Sequence, residues 1–164
     1  MSAPALRPYL PADAEALSRI FRAAVEELTV DDYDEDQRAA WASRADDEEA
    51  FAQNLASMLT LVAMLDGQIA GFASLRGKDV IEMLYIDPEA VREGVATALI
   101  DALEKLAGAR GAATLVVEAS DTSNRFFQRR GYQPQSRNSR MVGDEWLANT
   151  TMIKKLGEQP RGAH

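Results

Sequence analysis

The segment from Leu84 to Leu106 constrains this chain more than any other, because a strand runs through a proline turn straight into the head of an amphipathic helix. Glu82 to Ile86 reads as an apolar strand and Asp87-Pro88 stops it. Apolar residues then recur at Val95, Leu99, Ala102, Leu103 and Leu106, the spacing of a helix buried along one side. The first helical turn is expected near Arg92, Glu93 and Gly94, where free backbone N–H groups and the positive end of the helix dipole favour an anion, phosphate above all. Gly94 permits close approach of the backbone, and small Ala96 leaves room beside it.

Composition narrows the chemistry sharply. The chain has no Cys, and its one His is His164, the last residue, in a Gly- and Pro-containing stretch (157–164) expected to form a flexible tail. Thiol nucleophiles, disulfides, thiolate or imidazole metal sites and an imidazole base within the fold are therefore excluded, and no metal is expected. Catalysis must use carboxylates, hydroxyls, backbone groups or water. At 164 residues, with 46% hydrophobic and 27% charged residues, the chain fits a single domain, 1–164. It has no apolar run of membrane-spanning length, and its N-terminus has no signal-peptide pattern, so a cytoplasmic protein that does not engage a membrane is expected.

A net charge of −8 argues against a nucleic-acid partner. Nine acids between Asp31 and Glu49, against Arg38 and Arg44, supply −7 of it. These acids read as solvated helix faces and acidic first turns, or alternatively as a negative rim that draws in a cationic amine.

Along the chain, Ala5 to Tyr9 lies among Pro4, Pro8 and Pro11 and reads as an edge strand. Helices are expected at Asp13 to Leu28, Asp34 to Ser43 and Asp47 to Met58. Leu59 to Leu65 and Gln68 to Leu75 flank Asp66-Gly67, a hairpin signal, and a turn at Gly77-Lys78 leads into Val80 to Ile86. The helix Gly94 to Gly108 crosses to a strand at Thr114 to Glu118, which must lie parallel to the strand before it. A helix from Asp121 to Gly131 and a hairpin of Tyr132 to Arg140 with Trp146 to Lys154 complete the chain. The fold class is α/β, mixed α+β: one mixed antiparallel and parallel sheet of about seven strands with flanking helices. Such a sheet must splay where its two parallel strands part, and a cleft is expected there.

Ile86-Asp87-Pro88 followed by Val91-Arg92-Glu93-Gly94-Val95-Ala96 resembles the acyl-CoA loop of the GNAT superfamily of N-acyltransferases, with Val91 standing where the family usually has Gln or Arg. Phe126-Phe127-Gln128-Arg129-Arg130-Gly131-Tyr132 is similar to the family's helix after the fifth strand, and the order of elements from about Leu6 to Leu156 agrees: strand, two helices, three strands, helix, strand, helix, two strands. The stretches LYIDPEAVREGVAT, ASDTSNRFF and GDEWLANTTM resemble most a bacterial subgroup of that family.

The resemblance implies acetyl-CoA as co-substrate and direct transfer of its acetyl group to a primary amine of a small molecule or peptide, without a covalent intermediate. It places the cofactor against Leu84, Tyr85 and Ile86, the loop Val91, Arg92, Glu93, Gly94, Val95, Ala96 and Thr97, and Ser120, Ser123 and Phe127. The family often has Asn at the position of Ser120 and a thiolate-protonating Tyr at that of Phe127, which has no proton to give. A thiolate leaves readily, since thiols ionise near ~8.5. Ser120, Ser123, water or, less favourably, Tyr85 is left to assist it.

Glu82 is the first candidate base, the only charged side chain within its strand, and burial there would raise its pKa. A plainer reading makes it a strand-end carboxylate paired with an Arg or exposed on an open face. Glu118, at the end of the fifth strand, is the second candidate. Arg92 is placed beside phosphate, whereas Arg129 and Arg130 read as solvated helix charges. Trp41 and Trp146 read as core or pocket wall. Two rival functions stand beside the transferase, a non-catalytic acyl-CoA-binding sensor or interaction module and a domain for another phosphate ligand. A homodimer is compatible with the sequence, which names neither the acceptor nor the acyl length.

Overall fold

Turn residues and caps cut the chain into β1 (Ala5–Pro8), α1 (Ala14–Leu28), α2 (Glu35–Ala42), α3 (Glu48–Ala56), β2 (Leu59–Leu65), β3 (Gln68–Arg76), β4 (Val80–Ile86), α4 (Val95–Ala109), β5 (Thr114–Ser120), α5 (Asn124–Arg129), β6 (Gln133–Val142) and β7 (Glu145–Lys155). The computed structural model describes residues 3–157, so the tail expected at 157–164 lies outside the described residues except for Gly157. Asp66 and Gly67 both take left-handed backbone (φ 53° and 82°), the pairing a tight β2–β3 hairpin requires. Asp34 caps α2 through a reciprocal box, accepting from the Gln37 N–H at 2.8 Å while the Gln37 side chain accepts from the Asp34 N–H at 2.9 Å. Asp47 caps α3 by accepting from the Ala50 N–H at 3.0 Å.

Among the described residues seven strands form one sheet in the order β1-β2-β3-β4-β5-β7-β6, in which only β4 and β5 are parallel. Three helices precede β2, one more than in the order implied by the resemblance. Two other expectations need correction: α4 begins at Val95 after a left-handed Gly94 (φ 80°), and α5 begins at Asn124, because residues 121–123 form a turn. One face of the sheet packs on α4 and α5, where Leu75, Leu99, Leu103, Leu115 and Phe127 are buried. The other packs on α1, α2 and α3 through Leu17, Phe21, Val25, Phe51 and Phe72. Among the described residues no helix is long and apolar enough to cross a membrane.

Two irregularities shape β4. The β3–β4 ladder passes from Ser74↔Met83 to Leu75↔Ile81, so Glu82 is the extra residue of a bulge. The bulge breaks the alternation: Ile81 packs with Leu84 and Ile86 against the α4 face, while Met83 and Tyr85 belong to the α1 face. On its other side, β4 pairs with β5 only at Val80↔Val116 and Ile81↔Val117, after which β5 continues with β7 as far as Ser120↔Asn149. The sheet therefore opens between β4 and β5 just beyond the bulge.

Two side chains depart from their expected settings. Arg130 is not a solvated helix charge: it is largely buried, donating to Glu104 at 3.1 Å and pairing with Asp101, so that α5 is tied to α4. The same Glu104 accepts from the Tyr132 hydroxyl at 2.8 Å and from Lys154 Nζ at 3.1 Å. Trp146 is neither core nor pocket wall but 58% exposed at the β6–β7 hairpin.

Candidate active site

The β4–α4 connection is built as a row of unspent donors. Asp87 accepts from the Glu89 N–H at 3.0 Å, and its carbonyl accepts from the Ala90 N–H at 2.8 Å, closing a single 3-10 turn over Pro88–Ala90. Arg92 (φ 69°) and Gly94 (φ 80°) then turn the chain through left-handed conformations into α4. No side chain caps this helix, and among the described residues the N–H groups from Val91 through Thr97 meet no protein acceptor; the Ala98 N–H, bonded to the Gly94 carbonyl at 3.0 Å, is the first to be satisfied. A Cβ at Gly94 would meet nothing within 4 Å, so the space before the helix is open. Exposed N–H groups at a helix start suit a diphosphate in charge and in geometry.

Behind this loop, one cavity of about 340 Å³ runs into the gap between β4 and β5. Leu84, Ile86, Val91, Ala96, Phe126 and Phe127 give it apolar walls. A second cavity of about 230 Å³ opens on the other side of the gap, between α2 and the β6–β7 hairpin, against Tyr33, Arg44, Val142 and Asn149. Trp41, Ile81, Glu82, Tyr85, Glu118 and Ser120 line both. The two cavities meet at the bulge, where a strand edge carries the candidate base.

Most of the residues expected at the cofactor site converge there. Leu84, Tyr85, Ile86, Val91, Ala96, Ser120, Ser123 and Phe127 all line the larger cavity. Arg92, Glu93, Gly94 and Thr97 sit exposed on the loop and first turn, and the Val95 side chain is buried in the core, so these five offer main chain or outer surface. Ser120 Oγ accepts from the Ser123 N–H at 3.1 Å and lies 3.0 Å from Ser123 Oγ, which fixes the β5–α5 turn. Phe127 is 1% exposed and packs edge-on against Phe126 and Tyr132, which makes it wall and core together.

Two settings are expected for Glu82, a buried carboxylate and one paired with an Arg, and the structure has the second: its side chain is 27% exposed and accepts from Arg76 Nε at 2.8 Å. Glu118 is more open, 54% exposed, with Arg140 at 3.5 Å. None of the nine acids between Asp31 and Glu49 lines either cavity. Asp34 and Asp47 are helix caps, Glu35, Asp36, Glu48 and Glu49 occupy first turns, and all nine are exposed.

Tyr33, which shapes the smaller cavity, carries no local signal in the sequence, whereas Trp41, expected as core or pocket wall, lines both cavities. Tyr33 is buried, its hydroxyl donating to the Ala148 carbonyl at 2.6 Å and accepting from the Asp121 N–H at 2.9 Å, so it joins the α1–α2 loop to β7 and to the β5–α5 turn. Burial chiefly pushes its phenol up to about 12. Trp41 Nε1 donates to the Tyr85 hydroxyl at 3.2 Å, and burial holds that phenol above its usual range. These contacts join residues 44 to 115 positions apart, which no motif records. Among the described residues no three acids or histidines converge as metal ligands.

An open row of backbone N–H groups leading into a two-sided cleft, split by a bulged strand edge, suits a group-transfer enzyme whose donor carries phosphate. The acetyltransferase (GNAT) domain model matches residues 29–156. The chain is similar to the uncharacterized N-acetyltransferase YafP of Escherichia coli K12, 35% identical over 92% of this chain and 95% of that protein. It is similar also to a solved structure from Rhodopseudomonas palustris named "GCN5-Related N-acetyltransferase: Aminotransferase, Class-II", at 58% identity and TM-score 0.94 over 95% of this chain and 98% of that one. The fold is shared with the PaiA N-acetyltransferase of Thermoplasma acidophilum, solved in complex with coenzyme A (TM-score 0.78, 19% identity, 94% and 99% covered). The chain belongs to the GNAT acetyltransferase family, and its enzymatic class is that of acetyl-CoA-dependent acetyltransferases.

Proposed function

We propose that this protein transfers the acetyl group of acetyl-CoA directly to a primary amine of a small molecule or peptide, within a ternary complex. The observation that carries this reading is the meeting of two cavities at Glu82, Tyr85, Glu118 and Ser120, one behind the N–H cradle and the other facing solvent beside α2. Donor and acceptor can enter from opposite sides and meet where the strands part. Holding both in attack geometry supplies much of the rate without a nucleophilic side chain.

In this scheme the N–H groups from Val91 to Thr97 hold the diphosphate, and the apolar walls at Leu84, Ile86 and Phe127 take the pantetheine arm. The main chain of bulged β4, around Leu84 to Ile86, polarises the thioester carbonyl. An alkyl ammonium ionises near ~10.4, so a proton must leave before attack. Glu82 accepts it, directly or through one water. The amine nitrogen then bonds to the carbonyl carbon, the carbon–sulfur bond breaks, and the thiolate leaves with the electron pair and takes up, through Ser120 or water, the second proton that the attacking nitrogen sheds as it becomes an amide. Glu118, farther open, is the second candidate base. A non-catalytic acyl-CoA-binding module is the alternative, favoured by the absence of an acid at Phe127.

Replacing Glu82 with Gln separates these readings. If Glu82 is the base, kcat falls about 10²- to 10⁴-fold, while the KM for acetyl-CoA and the thermal shift it produces stay near wild type. An unchanged rate overturns the role of Glu82. Absence of transfer from wild type to any amine, with acetyl-CoA bound, favours the module.

A further inference from the structure

The smaller cavity has a charge imbalance that the transfer reaction does not use. Three guanidinium groups line it, Arg44, Arg76 and Arg140, against two carboxylates, Glu82 and Glu118. Arg76 is paired with Glu82 at 2.8 Å and Arg140 with Glu118 at 3.5 Å. Arg44 has no ion-pair or side-chain hydrogen-bond partner among the described residues. Its charge nonetheless reaches the cavity floor, since it favours the ionised form of the Tyr85 phenol against the opposing effect of burial. Arg44 belongs to the acidic stretch between Asp31 and Glu49, yet that stretch lends the cavity this cation and none of its acids.

We infer that the acceptor is a small amine that also carries a carboxylate, an amino acid with an apolar side chain, whose carboxylate is bound by Arg44. Arg is suited to the task because its planar fork of donors matches a carboxylate bidentately. The remaining lining divides in the same way, with Trp41, Tyr85, Val142 and Leu147 offering apolar surface and Asn149 and Thr151 polar edges. The space is small, about 230 Å³, and suits an acceptor of single-amino-acid size. With its carboxylate at Arg44, such an acceptor directs its amine toward Glu82 on the strand edge shared with the donor cavity. The inference rests on the transferase reading above, and the bonds made and broken are those given there.

The test compares leucine, leucinamide and 3-methylbutylamine as acceptors for the full-length enzyme and its Arg44→Ala and Arg44→Lys variants, following thiol release, with thermal unfolding as a check on folding. Wild type is expected to prefer leucine over 3-methylbutylamine at least tenfold in kcat/KM. In R44A that ratio collapses toward one through the KM for leucine, and R44K recovers part of it. A wild-type enzyme indifferent to the carboxylate, or a preference that survives R44A, overturns the inference. If no amine is acetylated, the transferase reading fails, and calorimetric titration of leucine into the CoA-saturated protein decides the anion subsite separately. Binding that is lost in R44A supports it, and binding that is absent or unchanged in R44A overturns it.

Discussion

Gly71 sits where three elements of the site touch, and replacing it with Ala tests how tightly the fold holds the cofactor loop. A Cβ built there lies 2.9 Å from Ile86 Cδ1, 2.9 Å from the Tyr85 carbonyl oxygen and 3.1 Å from Val95 Cγ1. The first and third contacts are side chains that can yield a little. The second is backbone of β4, next to Ile86, the residue opposite Gly71 in the ladder, and cannot move without displacing the strand edge at the cleft. Overpacking of this kind costs about 1–3 kcal/mol. The smaller unfolded-state entropy of Ala returns about 0.4–1 kcal/mol, because Gly71 does not need left-handed backbone. The net loss runs from about 0 to 2.6 kcal/mol, and its middle, about 1–2 kcal/mol, lowers Tm by about 2–8 °C for a chain of this size. Ile86 and Val95 bracket the β4–α4 loop, so pushing them apart also disturbs the N–H cradle, and the KM for acetyl-CoA should rise. Gly67→Ala is the control: its φ of 82° makes it costly in backbone strain, but nothing lies within 4 Å of the new Cβ. Calorimetry and initial-rate kinetics on both variants give the answer. If G71A matches wild type in Tm and in KM, or if G67A raises the KM as much, the coupling of Gly71 to the loop is refuted.

Two further predictions concern ionisation and the roof of the smaller cavity. Asp13 is held below the ordinary carboxylate range, first by the side-chain hydrogen bond from Arg7 and also by the Leu10 N–H. A depressed acid stabilises the fold above its unfolded pKa of ~3.9 and loses that contribution as pH falls through its folded value. Acid titration of stability should therefore show a shallower decline below about pH 4 in Asp13→Asn than in wild type; parallel curves would contradict this. Tyr33→Phe strands the Asp121 N–H and the Ala148 carbonyl and should cost about 1–3 kcal/mol in urea unfolding. Since the Tyr33 phenol is pushed up to about 12, its contribution is complete below pH ~10 and lost as pH rises toward the folded value. The difference in stability between wild type and Y33F should shrink across that window, and a constant difference would refute the assignment.

Much of the site was legible because its information is local. Asp87-Pro88 and Gly94 fix a strand end and a helix start only a few residues apart, and the chain can do little with that spacing except point backbone N–H groups outward. Asp66-Gly67 is local in the same sense: the two residues that tolerate left-handed backbone stand side by side. Glu82 was legible in part. A lone carboxylate in an apolar strand marks it, but its setting depends on the bulge, which arises from the register of β4 against β3 and leaves no residue signature. Arg130 was misread for a related reason, since its partners Asp101 and Glu104 lie a helix away and only packing of α5 on α4 brings them within reach. Trp146 was misread because bulk and apolarity do not say which side of a hairpin faces the protein.

The sequence by itself determined most of the element order and the donor-rich connection at the head of α4, since these follow from residue type and from spacings within one or two turns. Only the tertiary structure decided where β4 and β5 part, that the acids between Asp31 and Glu49 face solvent, and that Tyr33 and Arg44 join Trp41 at the smaller cavity. Those features depend on which strand edges stop sharing hydrogen bonds and on which distant side chains are then brought to the gap. Such pairings are selected by the burial of the whole core rather than by any short run of residues.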